Sequence, residues 1–175
     1  MDYFYLKQDQ RYTDVPVLQK GMGRIDLWKV NKLPPEELPR VLVFHVKAGK
    51  ESQFVDFMES PFPLLSDRLM KLMKVYVPEC RFKPAALINP ELQLQKNYYL
   101  PFLEEIDALS PRSEFNLDRS VLKSAVLQEE RIRGKKIFKV AGVATPLLVI
   151  RLDVAESILR RDFTGLRLER AELDT

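Results

Sequence analysis

One cysteine and one histidine occur in 175 residues, and each scarcity excludes a class of chemistry. Cys80 alone cannot close an internal disulfide or build a thiolate zinc site, so a reducing compartment, the cytoplasm, is the expected location. His45 alone leaves no histidine pair for a metal and no credible Ser-His-Asp or Cys-His partnership. Nor is there a Cys-x-x-Cys or an Asp-rich loop with calcium spacing. Gly21-Met22-Gly23 lacks the third glycine and the Lys-Ser/Thr ending of a phosphate-binding loop. The longest apolar stretch near the C-terminus, Leu147 to Ile150, is far too short to span a bilayer. The opening MDYFYLKQDQRY has no basic region followed by an apolar run and does not read as a signal peptide. The expectation is a protein without catalytic residues, metal or cofactor, one that acts by binding a partner.

What is present is the composition of an ordinary globular chain, with 46% hydrophobic and 30% charged residues. Twelve prolines against six glycines imply many short elements joined by stiff connections. The length fits one domain, or two lobes sharing a core with a soft seam near Glu79. A net charge of +3 is weak for a nucleic-acid binder. One local run stands out: Arg131, Arg133, Lys135, Lys136 and Lys139, with no acid among them. It reads as a solvated hairpin or, alternatively, as a phosphate-contacting ribbon of a nucleic-acid-binding accessory protein. Glu129 and Glu130 just before it would weaken such a ribbon.

The pattern predicts an α+β fold, with a mixed, mainly antiparallel sheet and two principal helices. Asp2 to Lys7 is aromatic-rich and reads as a strand. After the Gly21 and Gly23 punctuation, Ile25, Leu27 and Val30 suggest a short extended segment with Trp28 on its other face, broken by Leu33-Pro34-Pro35. Val41 to Lys47 is a strong strand whose nearly continuous apolarity predicts cover on both faces. Ser66 to Val77 is the clearest helix: Ser66 caps, Asp67 complements the dipole, and Leu65 staples onto Met70. Leu69, Met70, Leu72, Met73 and Tyr76 form its apolar stripe, and Pro78 limits it. Arg81 to Ile88 and Gln93 to Leu100 read as strands joined at Asn89-Pro90-Glu91. Glu104 to Leu109 is ambiguous, with one helical turn as an option. Ala125 to Ile132 and Lys136 to Val140 read as a hairpin across Gly134. Leu147 to Leu152 reads as a buried strand. Asp153 and Glu156 then make a capping arrangement for a helix whose apolar face is Val154, Ile158 and Leu159. Leu166 to Glu169 alternates like an edge strand.

Each candidate for chemistry has a bland reading beside it. His45, in an apolar strand, is either a general base or a neutral imidazole bonded to a backbone carbonyl. Cys80 is either a thiol of lowered pKa beside Arg81 or a small hydrophobe at a strand edge. Glu104, Glu105 and Asp107 form a carboxylate cluster, which reads as a solvated acidic turn or one paired with Arg160 and Arg161. Tyr98 and Tyr99 are adjacent on a strand and must point to opposite faces, so one of them is available to solvent or a partner.

Five blocks resemble a known family: PFPLLSDRLMKLM (Pro61 to Met73), YYLPFLEEIDALS (Tyr98 to Ser110), SEFNLDRS (Ser113 to Ser120), IFKVAGV (Ile137 to Val143) and RLDVAESILRRDFTGLRL (Arg151 to Leu168). The arrangement is similar to a family of bacterial immunity proteins from polymorphic toxin systems, long grouped as a domain of unknown function. The resemblance spans Pro61 to Leu168 and touches the N-terminal third more loosely; the last block is the most specific. It implies a cytoplasmic antidote that binds and neutralises a cognate toxin, without catalysis or cofactor. It carries over no defined interface. Tyr98, Tyr99, Glu104, Glu105, Asp107, Arg160 and Arg161 are the candidate contact residues from the reading above. The slight basicity departs from the acidity usual in antidotes to cationic nucleases, which points to another target or to the acidic patch as contact.

Overall fold

The computed structural model describes residues 1–20 and 26–175. Gly21, Met22, Gly23 and Ile25 lie outside them. The N-terminal segment gives β1 (Tyr3–Gln8), β2 (Val17–Leu18) and one helical turn, α1 (Leu27–Val30). Next come β3 (Leu42–Lys47), β4 (Phe57–Met58) and β5 (Leu64–Ser66), which leads into α2 (Asp67–Tyr76). A long hairpin follows, β6 (Arg81–Asn89) and β7 (Leu94–Phe102). The short strands β8 (Glu105–Ile106), β9 (Glu114–Phe115), β10 (Leu122–Ser124) and β11 (Val126–Gln128) precede α3 (Glu129–Ile132). The chain closes with β12 (Ile137–Val140), β13 (Leu148–Arg151), α4 (Leu152–Leu159), β14 (Leu166–Arg170) and β15 (Glu172–Asp174). The class is α+β, and α2 and α4 are its two principal helices.

Two sheets carry the fold, ordered β2-β3-β6-β7-β5-β4 and β14-β1-β13-β12-β8. Most pairings are antiparallel; β3 with β6, β8 with β12 and β11 with β15 are parallel. The N-terminal β1 is antiparallel to both β13 and β14 and lies between them. β13, α4 and β14 therefore form a strand–helix–strand unit split by one inserted strand. Three hydrophobic clusters fill the layers. One, around Phe44, Phe62 and Leu87, lines the face of the first sheet turned away from the second. The second lies between the sheets, with α2 and α4 supplying Leu69, Met73, Val154 and Ile158. The third, around Tyr3, Leu127 and Phe138, covers the far face of the second sheet.

Local chemistry explains the elements. The Ser66 Oγ accepts the Leu69 amide at 3.2 Å, the expected cap of α2, and Leu65 and Met70 share a core as a staple requires. Leu69 and Met73 of the stripe are fully buried and Met70 nearly so, while Leu72 and Tyr76 are half-buried at its edge. Gly165 has φ +74° and passes so close to Val55 that a Cβ there would lie 2.2 Å from the Val55 Cβ. Only glycine fits both demands.

Several expectations are corrected. Leu27 to Val30 is helical rather than extended, because Asp26 caps it through the Trp28 amide at 3.1 Å. The chain does break at Leu33-Pro34-Pro35 as expected, and a 3₁₀ turn follows over Pro35–Glu37. β3 is covered on one face only: Leu42, Phe44 and Val46 are buried while Val43, and Val41 just before the strand, are exposed. Glu105–Ile106 is a strand, not a helical turn. There is no hairpin across Gly134. β11 pairs with β15, β12 pairs with β13 and β8, and α3 fills the space between. The capping arrangement at Asp153 does not form. β13 runs straight into α4 at Leu152, so Asp153 is already inside the first turn and its carboxylate pairs with Arg151 at 2.7 and 2.8 Å. Ala155 takes the core position expected of Leu159, which is exposed.

Candidate partner-binding surface

The acidic and basic runs of the sequence meet each other. Parallel pairing sets Glu105 opposite Lys139 across β8 and β12, and their side chains approach to 3.2 Å. On either side, Glu104 accepts two bonds from the Lys135 Nζ at 2.7 Å, and Asp107 accepts one from Arg131 at 2.6 Å. Arg131 also donates to the Asp107 carbonyl at 2.7 Å. Three of the five cations in the basic run are thereby matched. Lys136 lies over the Tyr76 ring, 5.9 Å from its centre. The expected pairing of the acids with Arg160 and Arg161 is corrected. Arg160 lies 3.8 Å from Glu156, and Arg161 donates to the Ser157 carbonyl at 2.7 Å, which satisfies the C-terminal end of α4.

Tyr98 and Tyr99 do point to opposite faces. Tyr98 is buried in the first cluster and donates its hydroxyl to the Val55 carbonyl at 2.7 Å, and burial pushes its pKa above the ordinary phenol range. Tyr99 packs half-buried against the second cluster. Of the seven candidate contact residues, the acids and the two arginines are therefore at the surface, Tyr99 is at its edge, and Tyr98 is core.

Beside the ionic strip, a cleft of about 470 Å³ opens between the end of α2 with the turn after it, the end of β7 and the segment before β12. Cys80, Tyr76, Phe102, Glu104 and Lys136 line it. Burial pushes the Cys80 thiol up to about 11, which keeps it protonated at neutral pH, as the small-hydrophobe reading requires. His45 lies elsewhere, half-buried on the open face of β3. Its Nδ1 is buried and bonds to nothing among the described residues, which corrects the expected carbonyl partner. None of the five clefts described is lined by His45. Among the described residues, no three His, Cys, Asp or Glu side chains converge as a metal site. No helix among them is long and apolar enough to cross a membrane.

One polar centre escaped the reading of the sequence. Asp56 is buried and joins three segments. Its carboxylate accepts from the Ser66 hydroxyl, from the Thr164 amide at 2.8 Å and hydroxyl at 3.2 Å, and from Arg68 at 3.4 Å. Its backbone bonds to Thr164 and Ser66 as well. The available signal was a lone carboxylate inside the apolar run Phe54 to Met58, which has to be paired if it is buried.

Compared with models of known protein families and with curated proteins, the chain matches none.

Proposed function

We propose that the chain is a non-catalytic, cytoplasmic immunity protein that neutralises a cognate bacterial toxin by direct binding. The observation that carries this reading is where the family-like blocks go. Leu65, Leu69 and Met73 of the first block, Tyr99 and Leu103 of the second, Ile137 of the fourth, and Val154, Ile158, Phe163 and Leu168 of the last all join the core between the two sheets. Four of the five blocks thus share one core, while they also supply Phe62, Leu64, Tyr98 and Leu100 to the first cluster and Phe138 and Val140 to the third, and the Ser113 to Ser120 block stays at the surface. Cores preserve a fold, whereas recognition resides in the surface residues around them.

The ionic strip supports a protein partner over a nucleic acid. A phosphate-binding ribbon needs free cations, and Arg131, Lys135 and Lys139 already hold carboxylates. Alternating charges of this kind, flanked by Tyr76 and Lys136, suit a partner surface with its own alternating charges. The test is co-expression with the toxin encoded by the adjacent gene. Restored growth and a co-purifying complex are the expected result; absence of both overturns the proposal.

A further inference from the structure

Sheet edges present unpaired backbone groups, and among the described residues the longest strand at the end of a sheet is β14. Among the described residues, β2, β4 and β8 end their sheets with two residues each, whereas β14 ends its sheet with five. The ladder fixes which groups of β14 face outward. Asp9 donates to the Gly165 carbonyl and Ala171 donates to the Tyr3 carbonyl, both at 2.9 Å. Odd-numbered residues therefore bond to β1, and the N–H and C=O groups of Leu166, Leu168 and Arg170 point away from it. Among the described residues, nothing bonds to those groups.

We infer that β14 is the interface of a homodimer, in which two copies pair antiparallel about a two-fold axis through Leu168. Backbone parity admits a two-fold axis on any residue of β14, and side-chain charge favours the axis through Leu168 over its neighbours. With Leu168 opposite Leu168 of the second copy, Leu166 falls opposite Arg170, and each of these pairs exchanges two backbone bonds using only outward groups. The intervening close pairs are Arg167 opposite Glu169 and Glu169 opposite Arg167, unlike charges at both. Shifting the axis by one residue along the strand sets Arg167 against Arg167 or Glu169 against Glu169. Charged edge strands ordinarily discourage pairing, but here the alternation of sign penalises every neighbouring register and permits this one. Arg167 and Glu169 lie 3.4 Å apart within the strand and are about half exposed, so both are free to exchange partners. Leu166 and Leu168 are half-buried against the core between the sheets, and pairing would extend that apolar surface across the axis. The result is a closed, self-complementary contact joining two five-stranded sheets into one.

Sedimentation equilibrium and light scattering on the full chain test this. The chain is expected to be dimeric, with R167E and E169R each weakening self-association tenfold or more while circular dichroism stays unchanged. An equimolar mixture of the two variants restores unlike charges across the axis and is expected to reassemble as a mixed dimer. A monomer at every concentration overturns the inference, including the case in which only a toxin strand occupies the edge. So does a dimer that neither substitution weakens, or a mixture that fails to recover. Growth rescue by the chain reads the proposed function separately, so failure of one is distinguishable from failure of the other.

Discussion

The Lys135 ammonium donates to both carboxylate oxygens of Glu104 at 2.7 Å, and this one contact joins two sequence features that had seemed to be rival binding sites. With Glu105–Lys139 and Asp107–Arg131 it makes a strip of matched charges along the β8–β12 edge.

Neutralising the acids should expose the cations. The triple variant E104Q/E105Q/D107N is expected to bind a heparin column more tightly than the parent chain, eluting at clearly higher salt. The parent is expected to elute early. The Glu104–Lys135 and Asp107–Arg131 pairs are solvent-exposed and Lys139 alone is mostly covered, so unfolding free energy should fall by less than about 1 kcal/mol for each exposed pair. Equal retention of both proteins would show that the pairs do not screen the basic run.

Asp56 is expected to be a stability hot spot. Asp56→Ala removes the acceptor for the Ser66 hydroxyl and for both Thr164 donors, leaving them without partners in a half-buried site. The expected loss is roughly 2–4 kcal/mol in denaturant unfolding. A loss below about 0.5 kcal/mol, the range of an ordinary surface substitution, would contradict the role assigned to it.

Gly165→Ala should cost roughly 3 kcal/mol or more, because strain at positive φ adds to a clash with backbone-anchored atoms. Val55→Ala should not rescue it: the nearest atom is the Val55 Cβ, 2.2 Å away, and alanine keeps that atom. Thermal unfolding of the single and double variants distinguishes the cases.

Stability should form a plateau bounded on both sides. Hydrogen bonding to Arg151 holds the Asp153 carboxyl below its usual range, and the Ser110 hydroxyl does the same for Asp174. A carboxylate with a depressed folded pKa contributes above its unfolded pKa of about 4 and loses that contribution as pH falls through the folded value. At the alkaline limit, burial raises Cys80 from 9.0 to about 11 and raises Tyr3, Tyr5 and Tyr98. The unfolded chain then releases protons first, so stability falls as pH climbs past about 9. Urea midpoints measured across pH should decline at both ends, and Cys80 should resist alkylation at neutral pH until the chain is unfolded.

The sequence revealed elements whose signals are local. The Ser66 cap with its apolar stripe, the long hairpin and the final edge strand all follow from nearest neighbours in the chain. Elements decided by distant partners stayed hidden. The segment from Ala125 to Val140 has the pattern of a hairpin, yet β11 finds β15 at the C-terminus and β12 finds β8. The placement of β1 between β13 and β14 is equally invisible locally. For the surface, the acids and bases were individually legible, but their pairing depends on a parallel register that no short-range pattern encodes. Tyr98 and Tyr99 split between faces as alternation demands, while which face is core depends on Val55 and α2.

The central claim is that the chain acts by occupying a toxin. Isothermal titration of the purified chain into the purified product of the adjacent gene, assayed for toxicity, tests this proposal most directly. The expected result is saturable binding of defined stoichiometry at submicromolar affinity, with toxin activity lost in proportion to the bound fraction. Heat of dilution alone, or binding that leaves toxin activity intact, would contradict the account.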